Sequence, residues 1–531
     1  MMPGEEPLIL TVDMGTTSCK AGLVTPTGRI VACVQESDTT PVYFLPEGGA
    51  EQDPDEWWAT ITRTVRRLLE ESGVRRDDIK ALGFTAPWSG TVPVDREGRP
   101  LGRAIIWMDT RGAKYVRKLT GGPISVEGYG LDKALIWIYF TGGIPTHSGK
   151  DSIAHILFIK YERPEIYRAT YKFLEPKDYL NLRLTGKFAA DFTSIILHWV
   201  TDNRDINDIH YEKRLLRMTG IEREKLPDLY PTTHVLGPLT PQAAEALDLP
   251  EGLPVIISTP DLQAAILGSY AVQDYQPHIY LGTSSWLSCH VPYKKTDLKN
   301  NMASLPSAVP GRYFVANEQE TSGVCLTFLR DRLFYAEDIL NTGPAPENAY
   351  RLLDELAALA PPGSNGVIFT PWLYGERTPV EDETLRGAFF NLSLNTTRSE
   401  MVRAVLEGVA FNTRWLMGAV EQFIRRPLGA INIIGGGAVS ELWCQIFADV
   451  LNRPLRQVEY PAMAGLRGIG VLAGLSLGLS TLEEYAREAI ITRTFEPNPD
   501  NRRIYDELFQ VFLDLYRRNR SLYRRLNRRF G

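Results

Sequence analysis

The sequence predicts an α/β protein made of two domains on one plan, with a cleft between them, and three observations predict it. Two stretches far apart read alike: LTVDMGTTSCKAGLV, from Leu10 to Val24, and IYLGTSSWLSCHV, from Ile279 to Val291. Each is an apolar, β-branched run that breaks at Gly-Thr, offers a row of hydroxyls and resumes as an apolar run, which is a strand, a tight turn and a strand. Strand-like segments alternate with helical or loop sequence on both sides of the second stretch. The length of 531 residues exceeds what one core serves and fits two sizeable domains with a tail.

After the first hairpin, EQDPDEWWATITRTVRRLLEESG is a helix with both ends marked. Asp53 caps it, Pro54 suits its first turn, acids fill the start and Gly73 stops it. IKALGFTA follows as a strand, and PVIISTPD, GVIFTPWL and INIIGGGAV continue the alternation. The second hairpin restarts the pattern, so the chain divides just before STPDLQAA. Residues 1–257 make an N-terminal domain, 258–487 a C-terminal domain and 488–531 a helical tail. In the tail, Tyr505, Leu508, Phe512, Leu515, Leu522 and Leu526 recur at helical spacing. That predicts a packed amphipathic helix with a solvated basic face, because a run of arginines by itself specifies no ligand.

A hydrophobic share of 44% and a charged share of 23% describe an ordinary globular chain. The net charge of −6 gives no general attraction to nucleic acid or to an anionic membrane, which makes a small molecule the expected partner. Cys19, Cys33, Cys289, Cys325 and Cys444 are scattered singly and read as thiols of a reducing compartment. The N-terminal stretch lacks the pattern of a signal peptide and no segment is apolar for long enough to span a bilayer, so the expected location is the cytoplasm.

Glycine lets the backbone approach an anion closely, the amides of such a turn form an anion-binding nest, and Thr and Ser hydroxyls add donors. Two such loops facing each other would clamp one triphosphate. Only the first carries an acid just before its glycine, Asp13, where a magnesium ion bridging phosphates needs one. Either loop alone reads as an ordinary turn; the pair, joined by Gly435, Gly436 and Gly437 between a strand and a helix, points to a nucleotide against bare backbone. Asp261 follows an apolar strand and precedes the helical run LQAAILGSYA. An acid there caps a helix, and near a domain junction it also suits accepting a proton from an alcohol that attacks phosphorus. GIPTHSGKD is not a phosphate loop, since Asp151 stands where a magnesium-binding hydroxyl is required. The seven histidines form no zinc set, and no GxSxG elbow recommends a hydrolase.

These elements, with PKDYLNLRLTGKFAADFTS, PWLYGERTP, EQDPDEWW, AIIWMDTR and RAVLEGVAF, resemble the FGGY-type carbohydrate kinases, which include glycerol kinase, xylulokinase, ribulokinase and gluconokinase. The resemblance runs over almost the whole chain. It implies two ribonuclease H-like domains of the actin-like ATPase kind, with ATP on the second, a sugar or polyol mostly on the first, and transfer across the cleft. It implies Asp261 as catalytic base and Asp13, with Asp261, as the acids near magnesium. Gly15, Thr16, Thr17 and Ser18 would surround the phosphates, facing Gly282, Thr283 and Ser284, with Gly436, Gly437 and Gln445 beside the nucleotide. Trp88, Ser89, Trp107, Asp109 and Arg111 would hold the substrate. The family leaves a homodimer open.

Three departures stand out. Xylulokinases typically show Met-His where this chain has Trp88 and Ser89, His155 occupies a family lysine position, and Asn391 stands where a second glycine is usual. The PKDYL block favours the xylulokinase branch and a ketopentose such as xylulose, whereas DLQAA is closer to glycerol kinase. A kinase for glycerol, ribulose or a tetritol, an ATPase of the actin type and a non-catalytic sugar-responsive regulator remain as alternatives. In the expected reaction Asp261 takes the hydroxyl proton as an ordinary carboxylate of pKa about 3.9.

Overall fold

Both Gly-Thr stretches fold as antiparallel hairpins at equivalent places in two sheets. The computed structural model describes residues 6–37, 40–126, 128–340 and 343–527, so the first five residues of the N-terminal stretch and the last four of the basic tail lie outside it. In the first half, β1 (Leu8–Met14), β2 (Ser18–Val24) and β3 (Ile30–Ser37) are followed by α1 (Pro54–Ser72) and β4 (Ile79–Thr85). Then come α2 (Pro176–Thr185), β5 (Val235–Pro238), β6 (Pro254–Ile256) and α3 (Asp261–Gly268). The second half contains β7 (His278–Leu281), β8 (Ser285–Ser288), α4 (Arg398–Ile424), β9 (Ile431–Ile434) and α5 (Glu441–Leu451). It ends with β10 (Leu455–Val458), α6 (Ala464–Ser476), β11 (Ile491–Phe495) and α7 (Arg502–Asn527).

The first sheet has the order β5-β6-β4-β1-β2-β3 and the second β8-β7-β9-β10-β11. In each, a hairpin lies beside two parallel strands and an antiparallel edge strand closes the far side. Helices fill the layers. On one face of the first sheet Leu10, Val12 and Met14 pack on Trp57, Ile61 and Val65 of α1. On the other, Ile9, Ala81 and Ile256 meet Ala264 and Leu267 of α3 and Ile469 and Leu472 of α6, and this same core reaches Trp286, Ile434 and Val458 of the second sheet. The outer face of the second sheet packs on α4, α5 and the start of α7.

Helices α3 and α6 therefore cross between the sheets, one carried by each half of the chain. The crossing is close because both helices present glycine. A Cβ on Gly268 would stand 1.8 Å from the Ala464 carbonyl oxygen, and one on Gly468 would stand 1.9 Å from that of Ala264.

Helix α1 has the expected ends: the Asp53 side chain accepts the Asp55 N–H, and Gly73 is left-handed at φ 62°. GVIFTPWL behaves differently from the other strand segments. Its strand, Ile368–Thr370, pairs only with Ala388–Phe390 in a ribbon outside the five-stranded sheet, held where Gly408 of α4 lets the Phe369 carbonyl approach. In α7, Tyr505, Leu508 and Phe512 are buried, but Leu522 and Leu526 are 44% and 60% exposed. The helix outruns the core it packs on, so its apolar spacing continues onto the surface. Among the described residues, no helix is long and apolar enough to cross a membrane.

Candidate active site

The first turn is closed by the Gly15 N–H donating to the Ser18 carbonyl at 2.8 Å. Antiparallel register then sets Asp13 opposite Lys20, and their side chains form an ion pair of 3.5 Å. Gly465, in the first turn of α6, comes so near Asp13 that a Cβ would lie 3.0 Å from Oδ2. The Thr16 carbonyl accepts from Gln52 Nε2 at 2.8 Å, and its hydroxyl accepts from Trp107 Nε1 at 3.1 Å. Thr17 is exposed and Ser18 partly so. Trp107 thus braces the first turn from the side of the first domain.

Asp261 opens α3 as its first residue and does not cap it, since the N-cap position belongs to Pro260. Instead Oδ1 accepts the Leu262 N–H at 2.7 Å and the Trp88 N–H at 3.2 Å, while the Asp261 N–H donates to the Ala86 carbonyl at 3.1 Å. The acid is therefore stitched to the loop that follows β4. Burial and then the negative charge of Asp13 push its carboxyl up to about 7, so the ordinary carboxylate expected from the sequence is replaced by a perturbed one. Ser89, at φ 64°, donates its hydroxyl to the Lys150 carbonyl.

The second turn mirrors the first. Gly282 N–H donates to the Ser284 carbonyl at 3.0 Å, and the Gly282 and Thr283 carbonyls accept the Gly323 and Ser322 N–H groups at 2.7 and 2.9 Å. Tyr280, just before this turn, stacks on Trp286 with ring centroids 3.9 Å apart. Burial raises the Tyr280 phenol, and so do the charges of Asp261 and Asp13. One tyrosine of the second hairpin thus feels both acids, Asp13 of the first hairpin and Asp261 at the start of α3. Gly435 takes φ 95° because a Cβ there would lie 2.6 Å from the Leu281 carbonyl oxygen, which seats the glycine turn against the second hairpin. Gly436 faces open space and Gly437 packs over Leu281.

Three expected contacts are engaged elsewhere. Gln445 Nε2 donates to Asp449 at 2.8 Å and to the Glu496 carbonyl at 2.9 Å, toward the tail. Asp109 is buried and accepts from the Ala50 N–H at 3.0 Å and from Arg111, whose guanidinium also pairs with Glu51 at 2.7 Å. Asp109 and Arg111 therefore hold the loop that carries Trp107. Of the departures, His155 is buried with its pKa pushed down to about 4 by desolvation, so it is a neutral ring beside Thr91 where a cation was usual. Asn391 adopts φ 66°, a conformation that asparagine tolerates in place of glycine.

Residues 8–268 match the FGGY family of carbohydrate kinases, N-terminal domain, and residues 278–477 match the C-terminal domain of that family. The chain belongs to the FGGY family of carbohydrate kinases. Among its relatives, the xylulose kinase of Staphylococcus epidermidis is 28% identical over 530 residues, with 97% of each chain covered. The gluconokinase of Bacillus subtilis is 26% identical over 510 residues, covering 96% of this chain and 95% of the relative. The solved xylulose kinase from Rhodospirillum rubrum superposes with a TM-score of 0.79 at 25% identity, over 97% of this chain and 99% of the other. The ligand-bound xylulose kinase from Lactobacillus acidophilus shares the fold with a TM-score of 0.83 at 24% identity, over 98% and 100%. This FGGY kinase is accordingly a phosphotransferase with an actin-like fold that uses ATP and a small carbohydrate.

Two neighbours of these acids in this FGGY kinase, Lys20 and Tyr280, were missed from sequence. Lys20 lies beyond the turn, yet hairpin register alone pairs it with Asp13 once the turn is set at Gly15 to Ser18. Tyr280 is adjacent to the second turn, but its nearness to Asp13 and Asp261 depends on how the halves meet, which no local pattern encodes.

Proposed function

We propose that this kinase transfers the γ-phosphate of ATP to a hydroxyl of a ketopentose such as xylulose. What supports the substrate is the recurrence of xylulose kinases among the relatives covering nearly the full chain. The observation that carries the mechanism is the buried Asp261 carboxylate, held by the Leu262 and Trp88 N–H groups and raised by the charge of Asp13, beside the second hairpin's Tyr280, which feels both acids.

Asp261 accepts the proton of the sugar hydroxyl as its oxygen forms a bond to the γ-phosphorus and the bond from that phosphorus to the ADP oxygen breaks. Gly15, Thr16, Thr17 and Ser18 face Gly282, Thr283 and Ser284 across the phosphates, and Lys20 adds a positive charge near the transferring group. Gly436 and Gly437 leave bare backbone for the nucleotide. Trp88 and Ser89 shape the sugar pocket, while Trp107, with Asp109 and Arg111 behind it, supports the first turn. The reading assigns the sugar to residues 1–257 and the nucleotide to 258–487, with 488–531 as an appended helical tail.

The donor set fits magnesium. Asp13 and Asp261 are hard oxygen ligands whose like charges oppose each other, and a divalent cation relieves that opposition. Asp13 and Asp261 would hold the ion, which would supply positive charge to offset that of the phosphates.

A coupled assay of ADP formation over xylulose, ribulose, gluconate, glycerol and tetritols tests the substrate. Xylulose should give the highest kcat/KM, and ADP release independent of any of them would sink the kinase reading of this site. Asp261→Asn should keep ATP binding and lower turnover by roughly 100- to 10,000-fold, the usual contribution of a positioned general base.

A further inference from the structure

We infer that one buried cation, Lys177, acts as a positioning residue: through Asp191, Thr193 and Thr259 on one side and Asp178 and Ser194 on the other, it sets Asp261 and Trp88 relative to each other. The inference rests on the reading of Asp261 as the base.

Lys177 lies in the first turn of α2 and is 1% exposed. Its ammonium donates to the Ile257 carbonyl at 3.0 Å and forms ion pairs with Asp191 Oδ1 at 2.9 Å and Asp178 Oδ1 at 2.5 Å. Burial alone would discharge such a group, but the two carboxylates hold its pKa above the ordinary lysine value. The ammonium therefore keeps its charge among three oxygen neighbours, and each leads in its own direction.

The first two directions lead to the segment before Asp261. Ile257 begins it, also held by Asn181 Nδ2 at 2.7 Å. Ser258 follows at φ 59°, a strained conformation for a residue with a side chain. Thr259 closes it. Asp191 accepts both the N–H and the hydroxyl proton of Thr193. Because that hydroxyl has spent its one proton, the 2.6 Å bond between Thr193 and Thr259 must be donated by Thr259. The Thr259 carbonyl in turn accepts from Thr85 at the end of β4, at 2.6 Å. Strain at Ser258 persists only because both sides of it are pinned.

The third direction leads to the tryptophan. Asp178 Oδ2 accepts from the Ser194 hydroxyl at 2.9 Å, and the Ser194 carbonyl accepts from Trp88 Nε1 at 3.2 Å. Trp88 N–H then donates to Asp261 Oδ1. Two branches from one ammonium thus meet at the same carboxylate. Lys177, Asp178, Asp191, Thr193, Ser194 and Thr259 are all buried.

Thr193→Val removes the link to Thr259 with little change of shape. It should lower kcat by roughly 10- to 100-fold, since misplacement of about 1 Å at a reacting group costs on that order. KM for ATP and the melting temperature should stay near wild type. Thr193→Ser, which restores the hydroxyl, should recover kcat, and Thr259→Val, which deletes the same bond at its donor, should reproduce Thr193→Val. Wild-type turnover in both valine variants would overturn the inference, as would a loss that the serine does not rescue or that merely follows melting temperature. Asp261→Asn separates the two readings. If it stays active, the base assignment fails; if it is inactive while the valine variants are normal, only the positioning role fails.

Discussion

Asp261 has its carboxyl raised to about 7 by burial and by Asp13, and this makes the residue testable by pH. A base must be ionised to accept a proton, so kcat/KM for the sugar should fall as pH drops below about 7, with the limb shifting to lower pH in Asp13→Asn. The same shift bears on stability. The native state holds this proton more tightly than the unfolded chain, so ionising Asp261 costs native stability as pH rises from about 4, the unfolded carboxyl value, through about 7. Nucleotide-free Asp261→Asn should therefore melt higher than wild type at pH 8 and no higher at pH 3; equal melting at pH 8 would contradict the shift. Asp261 was legible as a candidate because it begins a helix after a strand, but its perturbed charge was not, since Asp13 is 248 residues away in the chain. Asp109 and Arg111 show the opposite case: their family block is evident, while the pairing of Arg111 with both Asp109 and Glu51 appears only once the loop is folded.

Among elements, the hairpins and α1 were the most legible because their signals are local. A turn needs its glycine and a helix its cap within a few residues of the feature. Asp53→Ala should remove the bond to the Asp55 N–H and destabilise the protein by about 1 kcal/mol in urea unfolding, with turnover unchanged. An unaltered midpoint would mean that packing of Trp57 and Ile61 alone fixes that helix end. The segment GVIFTPWL was legible as a strand but not as a ribbon outside the main sheet, because strand propensity does not say which neighbour it pairs with. The later part of α7 carries the same lesson, its apolar spacing outlasting the core beneath it.

At the scale of the molecule, the repeated plan was legible from the two Gly-Thr stretches, whereas the contact between halves was not. Ala264 and Gly268 of α3 and Ala464 and Gly468 of α6 meet reciprocally, and each glycine faces the other helix's carbonyl with no room for a Cβ. Gly268→Ala or Gly468→Ala should destabilise the protein by about 1–3 kcal/mol or more, because backbone and not a flexible side chain must move. The measurement is the melting temperature together with KM for ATP and sugar, and unchanged values for both variants would show that the helices separate freely.

That crossing also sets where movement can be felt. Gly465 stands one helical turn from Gly468 and touches the space of Asp13, so a hinge at this point has the acid almost on its axle. Swinging one half against the other would carry the outer rims far while Asp13 hardly travels. The reacting groups would stay still as the jaws around them shut.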